Sequence, residues 1–447
     1  MKSSYPAAAR ANYTLAVLVG AYILSFIDRQ ILNLLVGPIR NDLGISDLQM
    51  SLLQGGAFAL FYVSLGLPIG RLADCKSRKM IIAGGVIVWS AMTMACGLAT
   101  TFLGLFIARI GVGVGEAALS PAAYSMLGDC FPPRKLARAI YIFTLGSTVG
   151  AGMAYLIGGS VIDTIASANA VVLPIIGEVQ PWQATFFIVG LPGLLVGLLV
   201  WITVREPSRL GVARAEQTTA AVATGDAFRF VVQRRAVYLP IFISVSLLSI
   251  LGYGYMNWYP TFLIRTYDMQ IVEVGRYFGS IYLVCGTAGA FGGALLCEYF
   301  TKRGYRDANV RVIAVVSAGL FVPAAAGPLM PGPVAALAVA APTVVLLNAF
   351  FGASITALQL VTPNQMRAQI SAAFLLCTTL TGMGIGTSAV ALFTDLVFGS
   401  DQSLRYSLAS IAVMVCPAAA VISAWGCKHY RRASVISAAG ALIPDAA

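Results

Sequence analysis

The sequence predicts an all-α membrane protein in which twelve transmembrane helices form two pseudo-symmetric six-helix bundles. Three observations lead to this fold class: the apolar composition, the spacing of long apolar segments and the distribution of basic residues. Of 447 residues, 58% are hydrophobic and 11% are charged, and the mean hydropathy is +0.83. Soluble domains carry about 25% charged residues, so this composition excludes an ordinary soluble protein.

Long apolar segments give the number of helices. A transmembrane helix needs about 20 mostly apolar residues, and twelve segments meet this requirement. The first is too long for a signal-peptide core, so we expect it to remain in the mature protein. The predicted spans, helices 1 to 12, are 14–37, 48–72, 79–100, 102–127, 136–162, 182–204, 236–264, 271–297, 310–330, 333–360, 367–394 and 403–427.

Basic residues predict the orientation. If both termini are cytoplasmic, 23 of the 29 lysines and arginines fall in inner segments and four in outer loops. The other two, Arg29 and Arg109, lie inside predicted helices. This bias follows the positive-inside rule, so the net charge of +11 indicates membrane topology rather than nucleic-acid binding. Short loops and termini favour a bacterial inner membrane.

The longest polar stretch divides the chain into two sets of six helices. We expect an N-terminal bundle over 1–205, a cytoplasmic linker over 206–235 and a C-terminal bundle with a short basic tail over 236–447. Within the linker, 226–235 is either a short amphipathic helix at the membrane surface or flexible chain.

A weak internal repeat supports two related bundles. Gly150 and Gly152 precede Asp163 in helix 5, and the same spacing recurs 232 residues later in helix 11, at Gly382, Gly384 and Asp395. Such repeats are typical of duplicated transporter folds. The glycine-rich runs of helices 4, 5 and 11 indicate close helix packing, because no strand precedes them and no G-K-[ST] follows, as a phosphate-binding loop would require.

The segment after helix 2, GRLADCKSRK, resembles a signature of the major facilitator superfamily: a glycine, an aspartate four residues later and a basic cluster. Cys75 and Ser77 depart from the usual pattern. The resemblance spans essentially the whole chain and implies a transporter that works by alternating access. It also implies a cytoplasmic gate formed by Gly70, Asp74, Arg78 and Lys79.

Three stretches are similar to the Spinster-like branch of that superfamily: 25–53, 108–139 and the VREP sequence at 204–207. Spinster-like proteins are associated with lysophospholipids and sphingosine phosphate. The resemblance therefore implies an amphiphilic substrate, such as a lysophospholipid or a sphingolipid-like molecule.

Four ionisable residues lie at membrane depth, where a charge is costly unless it is paired or hydrated. They are Asp28 and Arg29 in helix 1 and Arg109 and Glu116 in helix 4. At 1.5 Å per residue, Arg109 lies roughly 9 Å, Asp28 roughly 13 Å and Glu116 roughly 20 Å from the outer surface. We expect Asp28 to meet Arg109, with Glu116 deeper along the same cavity wall.

These residues support three interpretations. In the first, Asp28 and Glu116 carry an exchangeable proton and Arg109 tunes them, so that a proton gradient drives transport. In the second, the charges form a static network that holds helices 1 and 4 together. In the third, they bind the charged headgroup of a substrate, to which an arginine can donate two hydrogen bonds. Arg29 could instead extend towards the membrane surface or face a neighbouring helix.

The second bundle has no comparable charges at membrane depth. We nominate neutral polar and aromatic residues there as further substrate contacts, beside Arg109, Glu116 and Arg29. For each of them, packing or an aromatic belt at the membrane surface is the favoured alternative explanation. They are Tyr253, Tyr255, Asn257 and Trp258 in helix 7, and Asn348 and Gln359 in helix 10.

Other functional classes fit the sequence less well. The single histidine, His429, lies in the basic tail, so an intramembrane lipid-modifying enzyme would lack a buried histidine base, and no catalytic or metal-ligating motif is found. A channel is disfavoured because the charges are divided unequally between the halves. Among transporters, the alternative substrate is a small organic anion such as a sugar acid. We expect no cofactor, no nucleic-acid partner and a monomer in the lipid bilayer.

Overall fold

The computed structural model describes residues 5–166, 171–173, 177–209, 224–363 and 366–440. Within these ranges, twelve helices are long and apolar enough to cross a membrane, which confirms the predicted number. Helices 1 to 12 are Ala8–Leu34, Asp47–Ala73, Arg78–Cys96, Phe102–Cys130, Arg134–Ile165, Pro181–Thr203, Arg235–Tyr267, Ile271–Lys302, Ala308–Leu329, Pro333–Val361, Gln369–Phe398 and Asp401–Ala433.

Three shorter elements lie between the spans. A helix at Val36–Leu43 connects helices 1 and 2. Strands Val171–Leu173 and Gly177–Val179 form an antiparallel hairpin between helices 5 and 6, an element absent from the sequence-based prediction. A helix at Thr224–Gln233 precedes helix 7, as the amphipathic alternative for the linker predicts.

The chain forms two compact units. The first comprises Met1–Thr219 together with Leu263–Leu283, and the second comprises Ala220–Phe262 together with Val284–Ala447. The adjoining ends of helices 7 and 8 therefore belong to the unit that contains helices 1 to 6. The short connection between those two helices carries Asp268, which has a positive φ of 52°.

Helix pairing inside the units repeats. In the first unit, helix 3 packs against helices 4 and 6, and helix 1 packs against helix 5. In the second unit, helix 9 packs against helices 10 and 12. Helix 7 packs closely against helix 11, since a Cβ added at Gly386 of helix 11 would lie 2.5 Å from the Ile250 carbonyl oxygen of helix 7. Adding six to each number in the first set gives the second set, as expected for a duplicated bundle.

Several spans are interrupted, and the interruptions position the candidate site. Helix 1 changes from α-helix to 3₁₀-helix at Ile31, two residues after Arg29. Helix 2 contains a π-helical turn at Leu52–Gly56. In helix 4, the first α-helical segment ends at Glu116. Such departures from α geometry reorient side chains and backbone carbonyls, and they are common at functional sites.

Candidate functional site

Four charged side chains from helices 1 and 4 are buried in the first unit. Asp28, Glu116 and Arg109 are at most 2% exposed, and Arg29 is 7% exposed. Asp28 interacts electrostatically with both Glu116 and Arg109. The sequence-based prediction that Asp28, Arg109 and Glu116 come together is therefore confirmed, although their pairing differs from the one expected and Arg29 joins them.

The ion pair of this cluster joins Arg29 to Glu116. The guanidinium of Arg29 donates a hydrogen bond to Oε2 of Glu116. The hydroxyl of Ser25, one turn before Arg29 on helix 1, donates to the same oxygen at 2.7 Å. Opposite charges that are hydrogen-bonded to each other offset part of the cost of their burial.

Three aromatic rings surround the Arg29 guanidinium. Its Cζ atom lies 4.2 Å from the ring centroid of Phe58, 4.7 Å from that of Phe26 and 5.5 Å from that of Tyr62. Aromatic faces attract cations, most strongly where water is excluded. Arg29 therefore points into the protein rather than towards the membrane surface, and sequence reasoning missed the rings that hold it.

Asp28 does not form the predicted ion pair with Arg109 among the described residues. Its Oδ2 accepts a hydrogen bond from Thr93 of helix 3 at 3.4 Å. Consecutive residues of an α-helix point about 100° apart. Because Arg29 faces helices 2 and 4, its neighbour Asp28 is turned towards helix 3, and this rotation explains why the expected pairing was wrong.

Arg109 is bound mainly by the backbone of helix 2. Its Nε donates to the carbonyl oxygen of Leu53 at 3.2 Å. Leu53 lies in the π-helical turn, where the shifted hydrogen-bond pattern lets a carbonyl accept from a side chain. The terminal nitrogens Nη1 and Nη2 are buried and have no hydrogen-bond partner in the described part of the chain.

Two carboxylate oxygens of this cluster, Oδ1 of Asp28 and Oε1 of Glu116, are also buried and have no partner among the described residues. A buried polar atom costs free energy unless it is hydrogen-bonded or hydrated. The cluster therefore has unused capacity to bind water, a proton or a charged ligand.

Glycines let helix 4 approach its neighbours closely enough to bury these charges. A Cβ added at Gly113 would lie 3.0 Å from the carbonyl oxygen of Phe58 in helix 2, and one at Gly115 would lie 2.5 Å from the backbone nitrogen of Trp89 in helix 3. The prediction that the glycine-rich run of helix 4 is a packing surface is confirmed.

A second buried network, of neutral side chains, adjoins the charged cluster. Asn33 donates to the amide oxygen of Gln30 and, at 3.3 Å, to the Tyr155 hydroxyl, and Gln54 donates to Asn33 at 3.0 Å. It joins helices 1, 2 and 5, and sequence reasoning missed it. The signal that could have found it is the presence of amide side chains, Asn33 and Gln54, inside apolar spans.

The residues nominated in the second bundle lie in the second unit, and most make internal packing contacts. Asn257 donates to the hydroxyl of Thr387 at 2.8 Å, and the Trp258 indole N–H donates to the Thr387 carbonyl oxygen at 2.9 Å. The ring of Tyr255 stacks on Tyr259, with 4.2 Å between centroids.

The remaining three nominees differ in exposure and partners. Tyr253 of helix 7 packs closely on Gly382 of helix 11. Asn348 donates to the Val344 carbonyl oxygen of its own helix at 2.9 Å. Gln359 is exposed.

The predicted gate segment forms an ion cluster inside the first unit. Arg78 is 1% exposed and donates to Asp129 of helix 4 and, at 2.8 Å, to Glu206. The Lys79 backbone N–H donates to the other oxygen of Glu206 at 2.8 Å. Burial raises the pKa of the Glu206 carboxyl, but these hydrogen bonds outweigh burial and hold that pKa below its usual range.

The predicted gate also includes Gly70 and Asp74. A Cβ added at Gly70 would be in ordinary contact, 3.7 Å from the Pro121 side chain of helix 4. The side chain of Asp74 lies outside the described part of the chain. Arg78 also donates to the carbonyl oxygen of Pro207 at 3.0 Å, so the GRLADCKSRK and VREP sequences, both recognised from the sequence, contact each other.

Comparison with known proteins identifies the class. The model of the Major Facilitator Superfamily matches residues 18–387, so the chain belongs to this superfamily and is a multi-pass membrane transporter rather than an enzyme.

Individual relatives show which transporters of the superfamily the chain resembles. The chain is 26% identical over 395 residues to an "MFS-type efflux pump" of Mycolicibacterium smegmatis, which covers 86% of this chain and 85% of that protein. It is 26% identical over 288 residues to the "Hexuronate transporter" of Bacillus subtilis, and this match covers 64% of this chain and 64% of that protein.

The similar solved structures include a bacterial homolog of the human lysosomal transporter Spinster in an inward-facing, unoccupied conformation. The TM-score is 0.77 and the sequence identity 28%, and the match covers 96% of this chain and 98% of that one. The chain is therefore Spinster-like within the superfamily, as the sequence motifs predicted.

Proposed function

We propose that this chain is a proton-coupled secondary transporter of an amphiphilic lipid, such as a lysophospholipid or a sphingolipid-like molecule, and that it works by alternating access in a bacterial inner membrane as a monomer. The observation that carries the proposal is the buried cluster of Asp28, Arg29 and Glu116. Two acids and a basic residue at this depth, with carboxylate oxygens that have no partner in the described part of the chain, are suited to binding and releasing a proton.

Proton binding to Glu116 weakens its ion pair with Arg29. A proton on Glu116 removes the charge that holds Arg29, and the guanidinium is then able to donate to another anion. Asp28 is close enough for its charge to oppose that of Glu116, so a proton on either carboxyl relieves the repulsion. The static-network interpretation predicts instead that neither carboxyl exchanges a proton during transport.

An anionic headgroup suits the arginines of this site. Arg29 and Arg109 are both buried, and Nη1 and Nη2 of Arg109 have no partner in the described ranges. A guanidinium donates two parallel hydrogen bonds to a phosphate. A relative named as a sphingosine-1-phosphate transporter of Danio rerio, 24% identical over 320 residues, favours a phosphate-bearing lipid.

A small organic anion is the second candidate substrate. The relative named as a hexuronate transporter favours it, and a sugar carboxylate would use the same arginines. Uptake of labelled lysophospholipid and of labelled hexuronate into proteoliposomes distinguishes the two candidates. Accumulation of the lipid alone supports the first, and accumulation of the hexuronate alone supports the second.

The test of proton coupling uses Asp28→Asn and Glu116→Gln in proteoliposomes with an imposed pH gradient. We expect each variant to reduce gradient-driven accumulation of labelled lysophospholipid nearly to the level of empty liposomes, because neither amide can bind the exchangeable proton. The purified variants should keep helical circular dichroism and a monodisperse elution profile.

Glu298→Gln is the matched control. Glu298 is an exposed carboxylate of helix 8 that pairs with Lys302 at 2.7 Å on the protein surface. Its neutralisation should leave accumulation unchanged. Full gradient-driven accumulation in both Asp28→Asn and Glu116→Gln would rule out the carboxylates as proton carriers and favour the static network.

A further inference from the structure

A cavity of about 560 Å³ opens on the surface of the first unit, and none of its lining residues belongs to the charged cluster. Its walls come from helices 5 and 6, and one side chain of helix 8 completes them. The apolar wall residues are Leu156, Ile157, Val161, Ile165 and Ile188. Ile157 and Ile188 are 41% and 48% exposed on spanning helices, so the cavity faces the acyl chains of the bilayer.

The two hydroxyl groups of the cavity wall, on Ser160 and Thr164, already donate hydrogen bonds within helix 5. The hydroxyl of Ser160 donates to the Leu156 carbonyl oxygen at 3.1 Å, and that of Thr164 donates to the Ser160 carbonyl oxygen at 2.8 Å. These hydroxyls therefore offer little to a ligand. The walls favour a hydrocarbon chain.

Arg276 is the charged residue of the cavity lining. It is exposed, and within the described ranges its guanidinium has no hydrogen-bond or ion-pair partner. Glu273, one turn earlier, accepts a hydrogen bond from the Gln270 backbone N–H at 3.2 Å instead of pairing with Arg276. The cavity thus combines an apolar wall with one cation for which the described residues provide no counterion.

The depth of the cavity matches one leaflet. Helix 5 ends at Ala166, so Leu156 lies ten residues from that end, or about 15 Å along the axis. This is half of the roughly 30 Å hydrocarbon core of a bilayer. Arg276 lies five residues from the start of helix 8 at Ile271, about 8 Å deep, within reach of the headgroup region for a long flexible side chain.

We propose that this cavity is a binding site for an anionic phospholipid of the bilayer, with the lipid phosphate on Arg276 and one acyl chain along the apolar wall of helix 5. The proposal is independent of what the protein transports, because no residue of the cavity belongs to the charged cluster. Cationic pockets between membrane helices commonly hold anionic lipid headgroups.

The test measures binding of phosphatidylglycerol and phosphatidylcholine to the delipidated full-length protein by native mass spectrometry. We expect the wild type to prefer phosphatidylglycerol. Arg276→Ala should weaken its binding about fivefold, since one arginine near a membrane surface contributes about 1 kcal/mol. Ile157→Trp, which fills the groove and leaves the cation in place, should weaken binding of both lipids.

Arg303→Ala is the control, because Arg303 is an exposed cation at the other end of helix 8, stacked over Tyr299. It should keep the wild-type preference. Equal loss of phosphatidylglycerol in Arg276→Ala and Arg303→Ala would indicate general attraction to basic residues and overturn the proposal. Unchanged binding in Arg276→Ala or in Ile157→Trp would also overturn it.

Discussion

Arg29 connects the charges and the aromatic rings of the first unit. It pairs with Glu116 while Phe58 and Phe26 cover the faces of its guanidinium. A cation held by rings as well as by a carboxylate keeps part of its stabilisation when the carboxylate is neutralised. This arrangement allows the ion pair to open without leaving an isolated charge in an apolar interior.

Phe58→Leu tests the contribution of the rings. The guanidinium lies 4.2 Å from this centroid, and a desolvated cation–π contact contributes about 2 kcal/mol. Without this contact Arg29 is held less firmly in its pair with Glu116. We expect slower transport, measured as initial rates in proteoliposomes.

Phe102→Leu provides the comparison, since Phe102 pairs with Phe106 within helix 4, at 5.6 Å between centroids, and contacts none of the buried charges through its ring. Its initial rate should match the wild type. A wild-type rate in Phe58→Leu would show that the ring does not support the ion pair.

At this scale, the sequence predicted that Asp28, Arg109 and Glu116 are buried together but not how they pair. Their depth follows from counting residues along each helix, and that estimate placed them between roughly 9 and 20 Å from the outer surface. The pairing depends on the rotation of helix 1 about its axis. Asp28 and Arg29 point about 100° apart, and no pattern in an apolar span indicates which one faces helix 4.

At the scale of helices, irregular segments adjoin the functional residues. The π-helical turn of helix 2 supplies the Leu53 carbonyl to Arg109, and helix 4 breaks directly after Glu116. Hydropathy predicted the spans to within several residues, because apolar length is a property of composition. It did not predict these interruptions, because they depend on packing against neighbouring helices.

The first turn of helix 2 carries a buried acid that sequence reasoning did not single out. Asp47 is 0% exposed and accepts two hydrogen bonds from Arg265, at 2.6 and 2.7 Å, while Arg40 lies 3.1 Å away. Arg265 belongs to the helix 7 segment that is part of the first unit. The partners lie 218 residues apart, so this contact is invisible in the local sequence.

Arg265→Gln should lower the thermal stability of the purified protein more than Arg40→Gln does. Removing the bidentate partner Arg265 leaves the Asp47 carboxylate buried with one weaker contact, which should lower the free energy of unfolding by about 3 kcal/mol. Removing Arg40 should lower it by about 1 kcal/mol or less. The unfolding temperature in one detergent measures both. Equal shifts, or a larger shift in Arg40→Gln, would contradict the assignment of Arg265 as the main partner.

At the scale of the whole molecule, the units share their helix pairing but differ in chemistry. The cluster of Asp28, Arg29, Arg109 and Glu116 lies in the first unit, while the nominated residues of the second unit are neutral. The duplicated fold was predictable, because spacing and glycine patterns survive as repeats. The contacts of the nominated residues in the second unit were not predictable, because the same types of polar residue line cavities and join helices.

The most direct test of proton coupling measures proton movement driven by the substrate. Proteoliposomes containing a pH-sensitive dye are given a lysophospholipid gradient without a pH gradient. We predict that the wild type changes the lumenal pH as the lipid moves, and that Asp28→Asn/Glu116→Gln gives no pH change. Lipid movement by the wild type without proton movement, or an undiminished pH change in the double variant, would contradict the account.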